Sequence, residues 1–227
     1  ISDPISCPGM YTIPSDPLTF STLIRIHFQV VSNSYQKLRS LELMQNYFEE
    51  FIGEIRKGNL QIYNEASIQY ELAIFLRNKL PDNFIQLERN VSFFGLNKKN
   101  FEKKEIDIAI FNKNKTEKTA IEIKYPTNGQ VPEQMFSFCK DIKFLEQLKE
   151  HGFVNNVFLC LADEKSFWEG NSPSPIYKFF REKHPITGNI SKPTGKESGE
   201  VKFRINGNYL ANWKLANNST MYFTIWI

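Results

Sequence analysis

Between Glu105 and Pro126 the chain reads EIDIAIFNKNKTEKTAIEIKYP. Two isoleucine-rich runs flank a turn rich in lysine and asparagine, and each run carries charge where a core strand would not. Side chains alternate faces along a strand. Ile106, Ile108 and Ile110 therefore share one face of the first run, and Asp107 and Ala109 the other. In the second run Ile121, Ile123 and Tyr125 oppose Ala120, Glu122 and Lys124. If the isoleucines of both strands line one core, parity sends both acids to the same opposite face. A turn centred on Asn114 and Lys115 places Asp107 across from Glu122, with Cβ atoms roughly 4.5 to 5.5 Å apart. Two carboxylates at that distance repel, and a divalent cation bridging them would relieve the repulsion; hard oxygen donors at this spacing suit Mg²⁺. Lys124, one pleat from Glu122, brings an ammonium beside that cation, where it can orient a water or stabilise an anionic transition state.

A sheet face bearing Asp, Glu and Lys is also a common solvent-facing surface, and E-x-K arises often by chance. Ala109 and Ala120, small and apolar, suit the edge of a cleft better than a fully wetted face. A third acid points the same way. Ile68, Leu72, Phe75 and Leu76 form the apolar face of a helix, and at 100° per residue Glu65 lies at the centre of their arc. It is either a site acid at the wet end of a buried stripe or a first-turn glutamate complementing the helix dipole.

The elements that must position these residues are readable by period. The first 34 residues, proline-bearing and without a clear period, read as an irregular arm or edge element. From Tyr35 to Lys57 apolar residues recur at helical spacing (Leu38, Leu41, Met44, Phe48, Phe51, Ile52, Ile55), and Gly58 with Asn59 ends the run. NEASIQYELAIFLRNKL is a second helix, with Asn64 as N-cap and Pro81 beyond its end. FIQLERNVSFFG, EIDIAIF and KTAIEIKY are three strands, PEQMFSFCKDIKFLEQLKEHG a helix closed by Gly152, and VNNVFLCLA a buried strand. A loop with a short helix (GNSPSPIYKFFREKHP) and two closing strands (GKESGEVKFRI, TMYFTIWI) follow. The fold class is α/β, with residues 1–63 as arm and long helix, 64–162 as the core, and 163–227 completing the same domain.

With 227 residues and 41% apolar composition, the chain is large enough for one soluble globular unit. The 28 basic and 25 acidic residues nearly balance, so a nucleic-acid surface would have to come from local clusters. Lys98, Lys99, Lys103 and Lys104, and Lys140 with Lys143 and Lys149, are such clusters, readable as phosphate contacts or as solvated faces. Trp168, Trp213 and Trp226 are readable as base-stacking groups or as packing. Cys7, Cys139 and Cys160 are odd in number and far apart, and with His27, His151 and His184 equally scattered they offer neither a disulfide framework nor a zinc site. A reducing, cytoplasmic setting follows. No apolar run long enough to span a bilayer and no recognisable signal peptide is present, since Arg25 and His27 interrupt LTFSTLIRIHFQVV. Nothing in the chain calls for an organic cofactor.

Asp107, then fourteen residues, then Glu122-Ile123-Lys124, on adjacent strands between a glutamate-bearing helix and a helix–strand pair, resembles the PD-(D/E)XK nuclease superfamily. The resemblance covers roughly Asn64 to Ala162. It implies a restriction endonuclease-like mixed sheet flanked by helices in the order α-β-β-β-α-β, and Mg²⁺-dependent hydrolysis of DNA phosphodiester bonds. Asp107 and Glu122 would bind the metal, the Ile123 carbonyl would complete its coordination, Lys124 would lie close to the attacking water, and Glu65 would match the first-helix glutamate of many members. Ile106 stands where the family name has proline, and Gln134 is followed by Phe138 where the exonuclease branch has Q-x-x-x-Y. Restriction-type relatives usually cut both strands as two-fold dimers, which makes a homodimer the expected assembly. The competing expectations are a structure-specific (junction or repair) nuclease, and a nucleic-acid-binding or scaffold module that keeps the fold without cleavage.

Overall fold

The computed structural model describes residues 17–227 except residues 128 and 172. Cys7 and the opening part of the arm lie outside the described residues, as does the side chain of His27. Where the sequence suggests one unit there are two, one ending at Leu43 and one running from Met44 to Ile227. The expectation of an irregular arm fails from Pro17 onward, because helix α1 spans Pro17–Arg56. Proline suits a helix start, and no Gly or Pro interrupts the next 35 residues. The sequence between residues 18 and 34 has no clear apolar period, which hides the helix there. Leu38, expected on the apolar stripe, is exposed; burial begins at Met44 and continues through Phe48, Phe51, Ile52 and Ile55.

In the second unit α2 (Glu65–Lys79) starts at Asn64, whose side chain accepts from the Ser67 amide while Ser67 Oγ accepts from the Asn64 amide. This reciprocal cap satisfies two donors that the first helical turn leaves open. The strands are β1 (Phe84–Asn90), β2 (Glu105–Phe111), β3 (Lys118–Lys124) and, after helix α3 (Val131–Glu150), β4 (Val157–Ala162). The stretch VSFFG is not strand; Val91–Phe94 forms a 3-10 turn closed by Gly95 at φ 77°. Beyond β4 come α4 (Tyr177–Arg181), β5 (Ile186–Ser191), β6 (Val201–Tyr209), the short β7 (Lys214–Leu215) and β8 (Met221–Trp226). The sheet is mixed and six-stranded, in the order β1-β2-β3-β4-β8-β7, while β5 and β6 form a separate pair. Among the described residues only β3 and β4 pair in parallel, joined by the α3 crossover. The β5 and β7 strands escape sequence reading because ITGNIS carries a glycine and KL is two residues long.

Both faces of the sheet are covered. Ile108, Ile110, Ile121 and Ile123 pack with α2 and the second half of α1, whereas Ala109, Phe111, Ala120, Phe158 and Cys160 pack with α3. Ile106 departs from its neighbours and joins the α3 side. Glu146 of α3, itself buried, accepts from the backbone amides of Asn206 and Gly207 and from the Tyr209 hydroxyl, which fastens the β5–β6 pair to the helix. Trp168, Trp213 and Trp226 are packing residues: Trp213 rests on Phe223 with ring centroids 4.6 Å apart, Trp168 lies against Trp213, and Trp226 meets Phe48 edge-on. Among the described residues no helix is long and apolar enough to cross a membrane. Replacing the cap by Asn64→Ala should lower stability by ~1 kcal/mol, read as a lowered urea midpoint at unchanged slope. An unchanged midpoint would mean that the cap does not hold the turn that carries Glu65.

Candidate metal centre

The β2–β3 hairpin sets the site. Its register pairs Phe111 with Lys118, Ile110 with Thr119, Ala109 with Ala120 and Ile108 with Ile121, and continued by one step it sets Asp107 opposite Glu122. The turn uses Asn112, which accepts the Lys115 amide, and Lys115 in the left-handed region at φ 55°. The backbone ladder stops at Ile108 and Ile121, and carboxylates take over its donors. The Ile123 amide donates to Asp107 Oδ2 at 2.7 Å, and the Asp107 amide donates to Glu122 Oε1 at 3.3 Å. On the other edge Glu88 of β1, the residue that the register sets opposite Asp107, is left-handed at φ 49° and outside the ladder.

The acids share one face, but that face is not open to water. Asp107 is 4% exposed and Glu122 0%, because α3 covers them. A third acid, Asp141, reaches in from α3 and is 2% exposed. The Lys103 ammonium lies among the three, 3.2 Å from Asp107 Oδ1, 3.3 Å from Asp141 Oδ1 and in close contact with Glu122 Oε2. Lys124 Nζ lies 3.2 Å from Asp141 Oδ2, 3.5 Å from Glu65 and 3.0 Å from the Ile123 carbonyl. Asp107, Glu122, Lys124, Ile123 and Glu65 thus fall in one cluster, with Ile123 contributing both its amide and its carbonyl.

Four carboxylates face two ammoniums, a deficit of two positive charges. Removing such groups from water is costly, and the protonation equilibria carry that cost. Burial first, and the Asp107 carboxylate second, push Glu122 well above the usual 4.5. Burial likewise raises Asp141 against the pull of Lys124 and Lys103, and raises Glu65 against Lys124. Burial alone would lower the two lysines. For Lys103 the combined field of Glu122, Asp141 and Asp107 outweighs it, for Lys124 that of Asp141, Asp107 and Glu65, so both ammonium pKa values rise. The lysines stay charged, and the missing positive charge falls on the acids.

Among the described residues no group of three or more His, Cys, Asp or Glu side chains stands arranged to hold a metal ion. The chemistry of the donors is nonetheless that of a hard cation's ligands. Its oxygens are hard, its deficit is two charges, a cation already lies between the carboxylates, and Asp141 Oδ2 accepts no aligned hydrogen bond although Lys124 is near. Asp107, Glu122 and the Ile123 carbonyl are the groups that would hold Mg²⁺.

The lysine clusters divide. Lys98, Lys99 and Lys104 are exposed. Lys103, grouped with them by sequence, turns inward because three buried carboxylates attract it. Lys143 is held by Glu146 at 3.3 Å, which withdraws it from phosphate contact, while Lys140 is half-buried with its ammonium 5.8 Å from the Phe136 ring centre. Gln134 donates to the carbonyls of Thr127 and Gly129 and so fixes the loop after β3, while Phe138 is core. Asp141 escaped sequence reading, yet a signal exists: it stands three residues from both Phe138 and Phe144, inside the buried arc of α3. Compared with protein-family profiles, curated proteins and solved structures, the chain matches none.

A pH series tests the electrostatics. Glu122→Gln preserves shape and removes the charge. A raised folded-state pKa means that stability is held below about 4.5, the value of an exposed glutamate, and is lost as pH rises towards the folded value. In chelator, the wild type should therefore lose stability relative to Glu122→Gln as pH rises from about 4.5. Urea denaturation curves that stay parallel across that range would contradict the assignment.

Proposed function

We propose that the chain is a Mg²⁺-dependent nuclease that hydrolyses DNA phosphodiester bonds on a restriction endonuclease-like core, in a cytoplasmic setting and as a homodimer when it cuts both strands. The observation that carries the reading is the junction of Asp107 with Glu122-Ile123-Lys124. Two adjacent strands give up their ladder donors to two buried carboxylates, beside a charged lysine, in a site lacking two positive charges. A sheet that needed only stability would place apolar residues there.

A bound divalent cation supplies Lewis-acid polarisation of the scissile phosphate and a lowered pKa for the attacking water. The chain's own part follows from position. Asp107 and Glu122 are anchored to strand backbone amides, so they would offer their oxygens to a cation from a fixed frame. Lys124, its ammonium pinned between the Ile123 carbonyl, Asp141 and Glu65, offers donors to an incoming water or to charge building on a phosphate oxygen. Glu65, 39% exposed at its side chain, is the acid through which the cluster meets solvent. Lys98 and Lys99 remain available for the DNA backbone, with Lys140 half-covered beside Phe136.

One observation favours a second reading. Lys103 already neutralises the acids as an internal cation, as it would in a nucleic-acid-binding module that keeps the fold without cleavage. Cleavage assays on plasmid, single-stranded and junction DNA with and without Mg²⁺ separate the two. The nuclease reading expects Mg²⁺-dependent product, none with Asp107→Asn, and at least about 100-fold slower cleavage with Lys124→Ala at similar DNA affinity. Activity that persists unchanged in Asp107→Asn would overturn it. Binding without cleavage on every substrate would favour the module.

A further inference from the structure

Asp107 and Glu122 each have one oxygen engaged by a backbone amide, and they and Asp141 each turn one oxygen to a common point. Asp107 gives Oδ2 to the Ile123 amide, and Glu122 gives Oε1 to the Asp107 amide. Asp141 sets Oδ2 beside Lys124. The remaining oxygens, Asp107 Oδ1, Glu122 Oε2 and Asp141 Oδ1, converge on Lys103 Nζ. Three oxygens contributed by β2, β3 and α3 thus surround one positive centre, and hard oxygens are the donors that Mg²⁺ takes. Asp141 belongs to it as fully as the two strand acids do.

We propose that Asp141 is the third carboxylate of the metal site, and that the Lys103 ammonium holds the metal's place until a divalent cation displaces it. The inference rests on the metal-dependent reading above and names what that reading lacks, the cation that lies between the acids and the acid on the opposite wall. The two cations exclude each other. Ammonium-to-oxygen distances of 3.2 and 3.3 Å must contract to about 2.0–2.1 Å for Mg²⁺, leaving no room for Nζ between the same oxygens. The pieces differ in mobility in the direction the exchange requires. The acids stand on strands and on a 20-residue helix, whereas Lys103 stands in the irregular segment before β2, its side chain 27% exposed on a four-carbon stem. It can swing out while the carboxylates stay. Once out, its ammonium joins Lys98, Lys99 and Lys104 on the same stretch of chain, where a DNA backbone would be met. In the metal-free protein it keeps three buried acids from facing one another without a counter-ion.

The exchange is read by metal binding to the full chain. Isothermal titration of chelator-treated protein with MnCl₂ and MgCl₂ should show Lys103→Met binding roughly tenfold or more tightly than wild type, because an internal competitor lowers the binding-competent fraction. Asp141→Asn should bind about tenfold more weakly. Because Lys103→Met removes the counter-ion of three buried acids and its folding is not assured, the wild type supplies a second readout. Reductive methylation followed by peptide mass spectrometry should find Lys103 slow to react in chelator and several-fold faster with saturating Mn²⁺, while Lys104 changes little. Equal or weaker metal binding by folded Lys103→Met, or Lys103 labelling that ignores bound metal, overturns the displacement. Unchanged binding by Asp141→Asn overturns the third ligand. Metal uptake by neither wild type nor Lys103→Met overturns the metal-site reading itself, and the inference with it.

Discussion

The repulsion between Asp107 and Glu122 governs this molecule. They face each other on neighbouring strands, shielded from water by α3, where unscreened like charges cost far more than at a surface. The surrounding structure answers that cost. The ladder between β2 and β3 stops at Ile108 and Ile121 so that backbone amides can serve the carboxylates. Lys103 and Lys124 close in from two directions, and the protonation of Glu122, Asp141 and Glu65 shifts upward to absorb what the lysines leave. A protein does not retain such an arrangement for stability, since apolar residues of similar volume would hold the sheet at least as well.

The rest of the fold gives the acids a fixed geometry. Two apolar layers clamp the sheet, one built on α2 and the second half of α1, the other on α3. Asn156, fully buried, donates to the Leu145 carbonyl and accepts the Ala120 amide, which ties α3 to β3 two residues from Glu122. The cap at Asn64 fixes where α2 begins and hence where Glu65 stands. The C-terminal segment takes part as well, because β8 pairs along the whole of β4, the strand that neighbours Lys124 through Cys160.

Local rules made much of this legible in the sequence. The parity of EIDIAIF against KTAIEIKY brings Asp107 and Glu122 together from alternation and turn position alone, and Asn64 and Gly152 mark helix ends by capping chemistry. What stayed hidden depends on partners far along the chain. Nothing local distinguishes Lys103 from Lys98, Lys99 or Lys104; it turns inward because acids from β2, β3 and α3 meet beside it, and that meeting is a tertiary fact. Asp141 was readable in principle as a charge inside a buried helical arc. The depth of the site is hidden for a related reason, since alternation separates two faces without saying that α3 covers the second. The helix from Pro17 shows the converse, a continuous helix whose first half carries no clean amphipathic period.

A divalent cation between Asp107 and Glu122 is what the proposed chemistry requires, and anomalous scattering from crystals grown with Mn²⁺ tests for it most directly. The expected result is one strong peak within coordination distance of Asp107, Glu122 and Asp141, with the Lys103 side chain turned away from it. A map at saturating Mn²⁺ with no peak there, and the Lys103 ammonium still between the three carboxylates, would contradict it.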